Sequence, residues 1–158
     1  MLRWFVLAAA IVVVDQLTKY AAVKYLAGKT IEVMSFFNLV LAYNTGAAFS
    51  ILADAAGWQR GLFVGIALIA VAWIVWLLRR YPHQRLFALA LSLVLAGAIG
   101  NVIDRILVGA VIDFLDFHAF GRHWPAFNVA DSAITCGAVL LVWDALRPAQ
   151  SRDAGAKI

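Results

Sequence analysis

Four apolar stretches, at about residues 4–25, 60–78, 86–107 and 127–146, dominate this chain and limit what it can become. A helix needs about 20 apolar residues to cross a hydrocarbon core, and each stretch is that long or nearly so. The chain is 65% hydrophobic and only 14% charged, with a mean hydropathy of +0.89, well outside soluble usage. The expected fold is therefore an all-α membrane protein, a four-transmembrane-helix bundle. No composition shift, linker or useful internal repeat divides the 158 residues, so the reading is one integral membrane domain, 1–158. Its polar tail, 147–158, is expected to be disordered.

Charge placement speaks of topology. The net charge of +4 and pI of about 9.6 come from basic residues scattered between apolar runs, which argues against a nucleic-acid partner. Arg79, Arg80 and Arg85 crowd the RRYPHQR loop between spans two and three, Arg147, Arg152 and Lys157 follow span four, and Arg3 precedes span one. The positive-inside rule makes these ends cytoplasmic, leaving both termini inside and segments 26–59 and 108–126 outside. The first stretch continues through Asp15, Gln16 and Lys19 without a convincing cleavage site, so it reads as an uncleaved helix rather than a leader. Segment 26–59 is too apolar for a plain loop. Its run TIEVMSFFNLVLAYN, with turn-formers at Asn44 and Gly46, predicts short strands, and residues 47–56 suit a stretch lying along the membrane surface. The single cysteine, Cys136, excludes an internal disulfide and CxxC chemistry and reads as a small buried hydrophobe.

Ionisable groups inside spans cost several kcal/mol, so each is a functional candidate with a structural alternative beside it. Asp15 and Lys19 lie four apart and share a helix face, which favours a structural ion pair. A Ser–Lys protease would use Lys19 as base, yet Ser50, Ser92 and Ser132 sit in no recognisable nucleophile setting. In GNVIDR, Asn101, Asp104 and Arg105 fall at helical spacing near the outer end of span three, with structural support or an Asp104–Arg105 interfacial anchor as the plainer roles. Gly97 and Gly100 would let another helix come close.

Asp113, in VIDFLDF, stands just beyond span three, and Asp131, in FNVADSAI, stands in the first turn of span four. Asn128 suits the helix cap, and an acid in a first turn is favoured by the dipole, so Asp131 has a structural explanation; for Asp113 it is a solvated loop acid. Two carboxylates at one membrane face suggest more. When such groups lie within a few ångströms they cannot both ionise comfortably, and a shared proton makes them a general acid–base pair able to activate water against a peptide carbonyl. No cofactor or metal is then needed. A zinc site from Asp116, His118 and His123 is disfavoured, because D-x-H-x4-H matches no strong ligand motif.

These residues resemble the lipoprotein signal peptidase family, also called signal peptidase II, bacterial inner-membrane aspartic proteases. The resemblance runs from about residue 14 to 135 through DQLTK (15–19), YNTGAAFS (43–50), GAIGNVIDR (97–105), VIDF (111–114) and FNVADSAI (127–134). It implies that Asp113 and Asp131 are the catalytic dyad, with Asn44, Gly46, Asn101, Asp104, Arg105, Asn128 and Ala130 binding substrate or inhibitor or bracing the carboxylates. It further implies cleavage of prolipoproteins on the amino side of a diacylglyceryl-modified cysteine, at the outer face of the cytoplasmic membrane, inhibition by globomycin, and a small extracytoplasmic β-sheet with a short surface helix from the 26–59 region as a lid over the site. The expected partners are lipid-modified precursors and membrane lipids, and a single chain suffices. Asp116, three residues beyond Asp113, is a competing carboxylate that only the V-x-D-F match sets aside. Pro125 favours a turn before span four, and Trp124 suits an aromatic belt. A proton-coupled carrier and a non-catalytic assembly subunit are the other classes to weigh; the first would place Asp15, Asp104 and Asp131 on a proton path, but the chain lacks repeated halves and matching broken helices.

Overall fold

Each apolar stretch folds as a helix, since lipid offers no partner for backbone N–H and C=O groups and a helix satisfies them internally. A computed structural model describes residues 1–46 and 58–147. The elements run α1 (Leu2–Leu26), β1 (Ile31–Met34), β2 (Phe37–Asn44), α2 (Trp58–Arg80), α3 (Arg85–Leu107), β3 (Val111–Ala119), β4 (Arg122–His123) and α4 (Val129–Leu146). Among the described residues, these four helices are long and apolar enough to cross a membrane. The surface helix expected at 47–56 and most of the tail lie outside the described residues.

The usual soluble pattern is inverted along α1. Leu2, Val6, Val13 and Leu17 are exposed, while Ala8, Asp15, Lys19, Ala22 and Leu26 form one buried stripe at spacings of seven, four, three and four. Apolar residues thus face lipid and the charged pair faces protein. The central helix is α3, which touches α1, α2 and α4. At one end Leu78, Ala88, Leu91 and Leu95 make an aliphatic core, and Trp4 donates its indole N–H to the Pro82 carbonyl at 3.0 Å, fixing the start of α1 on the α2–α3 loop. The arginines at 3, 79, 80 and 85 therefore gather at the end of the bundle opposite the sheet.

Close approach of α3 and α4 depends on absent side chains. A Cβ at Gly97 would run into the Ala130 carbonyl and Ile134, and one at Gly137 would meet Val94 and the Ala90 carbonyl. We expect Gly97→Ala to destabilise the protein by about 1–3 kcal/mol through overpacking, read as a lower unfolding midpoint in detergent; an unchanged midpoint would contradict this packing.

At the other end the strands form an antiparallel sheet in the order β1-β2-β3-β4. Asn38 pairs with Asp116, Ala42 with Asp113 and Asn44 with Val111, with a bulge in β2 between Leu39 and Ala42. Phe114 anchors the sheet on Ala22 and Leu26, the last turns of α1. The turn between β3 and β4 places Phe120 and Gly121 at φ 52° and 72°, the left-handed conformations that a two-residue hairpin needs. The strands expected in 26–59 are present as β1 and β2. The 111–119 strand corrects the reading of that stretch as loop: VIDFLDF lacks a clean alternation because β3 is buried on both faces.

Candidate active site

The site is built where α4 begins. Asn128 caps the helix, its Oδ1 accepting from Asp131 N at 2.9 Å while Asp131 Oδ2 accepts from Asn128 N at 3.3 Å, a reciprocal capping box. Asp15, reaching from α1 through the space left by Gly100, accepts the Ala130 N–H at 2.8 Å. Two of the helix's free amide donors are thereby satisfied by side chains, and the carboxylates complement the positive end of the helix dipole. Asp131 is thus held in place by the chemistry of the helix start, with Oδ1 left to accept from Asn101 Nδ2 at 2.8 Å.

Asp113 arrives from β3. It is 3% exposed, and its Oδ1 accepts from Asn128 Nδ2 at 2.8 Å, so one asparagine side chain touches both carboxylate-bearing elements. Asn44, two residues beyond its partner Ala42 on β2, also hydrogen-bonds it. Burial, and next the negative charge of Asp131, push the Asp113 carboxyl up to about 7, against the pull of Asn44, Asn128 and the Lys19 charge. Both acids line a cavity of about 890 Å³. Its polar end holds Asn44, Asn101, Arg105, Asp113 and Asp131; its apolar walls come from Phe63, Ile66 and Ala67 of α2, Ala98 of α3 and Ile134 of α4.

Behind the cavity lies a buried charge cluster. Lys19, 1% exposed, bridges Asp15 at 2.9 Å and Asp104 at 2.8 Å and donates to Asn101 Oδ1 at 3.0 Å. The expected Asp15–Lys19 pair is present, enlarged by a second acid. The Lys19 amine is engaged by Asp15, Asp104 and Asn101 rather than by a serine, as a Ser–Lys mechanism would need, and the Ser132 hydroxyl donates to the Asn128 carbonyl. Asp104 also accepts from Ile112 N at 3.1 Å, tying α3 to the residue before Asp113.

Asp104 and Arg105 do not form the interfacial anchor pair considered above: consecutive helix positions point about 100° apart, so Asp104 turns inward at 2% exposure while Arg105 faces the cavity. The Arg105 guanidinium donates to the Gly46 carbonyl at 2.9 Å and lies 5.4 Å over the Phe63 ring. Gly46 N in turn donates to Asn44 Oδ1 at 3.0 Å, shaping the cavity lip. Ala130, fully buried, contributes its small size and its capped N–H. Cys136 is exposed and lines the cavity, contrary to the buried hydrophobe expected, because it falls one turn beyond Ser132 on the open side of α4.

Asp116 is separated from the site by strand geometry. Side chains alternate along β3, so positions three apart point to opposite faces, and Asp116 is engaged by Asn38 and His123 instead. One contributor not singled out in the sequence is Gln16, whose amide donates to Asp15, to the Gly100 carbonyl and to Asp104. Its signal was available: an amide in the middle of a lipid-facing span is as anomalous as the charges beside it.

Residues 7–147 match the signal peptidase (SPase) II family. This chain belongs to the signal peptidase II family. It is 57% identical over 147 residues to the lipoprotein signal peptidase of Cupriavidus necator, covering 92% of this chain and 84% of that one. The lipoprotein signal peptidase of Ralstonia nicotianae is 57% identical over 145 residues, covering 91% and 84%. A bacterial membrane enzyme solved by the in meso method at 2.3 Å superposes with a TM-score of 0.82 at 35% identity, covering 92% of this chain and 88% of that one. A second, at 1.9 Å, gives 0.81 at 34% identity, covering 93% and 94%. Membership in a signal peptidase II family makes this chain a multi-pass membrane peptidase, and nothing in the match favours a carrier.

Proposed function

We propose that this chain is an aspartic endopeptidase that removes signal peptides from prolipoproteins carrying a diacylglyceryl-modified cysteine, cutting on the amino side of that cysteine. The observation that carries this reading is the convergence of Asp113 and Asp131, from a strand and a helix start, on one cavity at the end of a transmembrane bundle, with Asn128 bonded to both. The ionised carboxyl takes a proton from water as the water oxygen attacks the scissile carbonyl; the protonated one hydrogen-bonds the carbonyl oxygen. Collapse of the tetrahedral intermediate breaks the C–N bond, and a proton passes to the leaving amine, which returns the pair to its one-proton state. The other residues have supporting roles: Asn44, Asn101 and Asn128 orient the carboxylates, Arg105 with the Gly46 strand end binds substrate backbone, and Asp15, Lys19, Asp104 and Ala130 fix α4 against α1 and α3.

The cavity suits such a substrate. Its polar end matches a peptide bond and its α2–α4 walls match acyl chains and an apolar signal helix within the bilayer. With the arginine-rich end cytoplasmic, the site lies at the outer face of the bacterial cytoplasmic membrane and both termini lie inside. One chain holds the complete set of groups, so a monomer acts alone, and globomycin competes for the cavity. The deciding assay incubates purified protein in detergent with a lipidated precursor: cleavage beside the modified cysteine, blocked by globomycin, is expected, and intact precursor would overturn the assignment.

A pH profile follows from the raised Asp113. Below about 7 this carboxyl keeps its proton, and as pH rises through that value it ionises and the one-proton pair is lost. We expect kcat/KM to fall above about pH 7, approaching a tenfold loss per pH unit, in a steady-state series on the lipidated precursor. A rate that keeps rising to pH 9 would contradict this protonation scheme.

A further inference from the structure

On the sheet face turned away from the two carboxylates, Asp116 is 6% exposed, accepts from Asn38 Nδ2 at 3.1 Å, and lies 2.9 and 3.0 Å from His123 Nδ1. The His118 ring stacks on that of His123 with centroids 4.9 Å apart and 28° between planes. Strand register accounts for the grouping, since Asn38 opposes Asp116 and His118 opposes His123. A buried carboxylate is costly to leave without a partner, so the cluster fixes His123 strongly.

What His123 carries with it is the next residue. Only Arg122 and His123 make up β4, the Trp124 N–H donates to the Phe117 carbonyl at 2.7 Å, and Pro125 then has no N–H to give. Alternation along the strand sends His123 to the clustered face and Trp124 to the other, where it lines the cavity holding Asp113 and Asp131. Trp124 itself is 60% exposed. Further on, Phe127 has its own backbone bonds to Leu115 and Asn128 its own cap, so the carboxylates are placed independently of β4.

We propose that the Asp116–His123 pair is a positioning clasp that holds Trp124 as a wall of the substrate cavity. Asp116 and His123 touch no reacting atom; they act through Trp124 on substrate binding. The proposal rests on the peptidase reading above, and it predicts a KM effect without a kcat effect.

The experiment is steady-state kinetics with a lipidated precursor peptide on the wild type, Asp116→Ala, His123→Ala, His123→Asn, Trp124→Ala and the Asp116→Ala/Trp124→Ala double variant. Both clasp truncations should raise KM about fivefold or more and keep kcat within about twofold, as expected for losing a hydrogen bond to a charged group. His123→Asn, whose amide N–H can stand where Nδ1–H stood, should restore the wild-type KM. Adding Asp116→Ala to Trp124→Ala should raise KM no further, an outcome that a merely structural loss would not produce. Because the His123 side chain is 57% exposed, its variants are expected to fold even if Asp116→Ala does not, and they then decide the question. If the wild type fails to cleave, the peptidase reading and the clasp fall together. If it cleaves and the clasp variants keep the wild-type KM, lose kcat instead, or add to Trp124→Ala, the clasp alone is overturned.

Discussion

Asp113→Asn and Asp131→Asn each lower the turnover of a lipidated precursor by about 10³-fold or more while leaving the folded protein intact. The two halves of that expectation have separate physical grounds. Turnover falls because an amide has no proton equilibrium to offer, so water is not deprotonated and the leaving nitrogen is not served. The fold survives because asparagine keeps most of the hydrogen-bonding outline. At 113 its Oδ1 can still accept from Asn128 Nδ2, now 2.8 Å from the carboxylate, and at 131 it can still accept from Asn101 Nδ2, losing only the longer 3.3 Å bond from Asn128 N. Replacing the buried, partly charge-repelled Asp113 with a neutral group removes an electrostatic cost, so its unfolding midpoint should not drop. Single-turnover cleavage and thermal unfolding on the same preparations check both statements. Either variant cutting at a near-normal rate would remove its carboxylate from the chemistry.

The second large effect is on stability, at a residue outside the cavity. Lys19→Met should cost about 3–5 kcal/mol, because it strips the bridging cation from two acids that stay buried. Asp15 is fully buried and Asp104 is 2% exposed, and both lie within 3 Å of the Lys19 ammonium. The damage extends to the site, since Asp15 caps Ala130 N and Asp104 holds Ile112 N, the residues beside Asp131 and Asp113. Adding Asp104→Asn to Lys19→Met relieves one of the unpaired charges and should recover part of the loss. Denaturant unfolding in detergent measures it; a Lys19→Met protein as stable as the wild type would mean that the cluster does not behave as a charge-neutralising unit.

How much of this is legible in the sequence depends on whether the cause is local. The helices were legible because bilayer thickness imposes a length and composition on each segment. The Asp15–Lys19 pair was legible from its four-residue spacing, and the start of α4 from Asn128 and Asp131 at cap and third position, where side chains answer the same helix's free amides. What the sequence concealed was long-range. Lys19 reaching Asp104, 85 positions further on, and Asp15 reaching Ala130 depend on how α1 seats against α3 and α4, which no periodicity encodes. The strand at 111–119 was hidden because both its faces are buried, and with it went the argument separating Asp116 from Asp113: an odd spacing divides two residues across a strand, whereas three apart on a helix brings them together. The exposure of Cys136 is not legible in the sequence, because an apolar run alone does not tell which side of a helix faces a cavity.

Catalysis turns on two acids keeping one proton between them. Infrared difference spectra of the purified protein at pH 6 and pH 9, with Asp113→Asn as reference, test this most directly. A protonated-carboxyl stretch present at the lower pH, disappearing with a midpoint near 7 and missing in Asp113→Asn, is the predicted result. A spectrum in which the wild type and Asp113→Asn carry the same protonated carboxyls at pH 6 would contradict it.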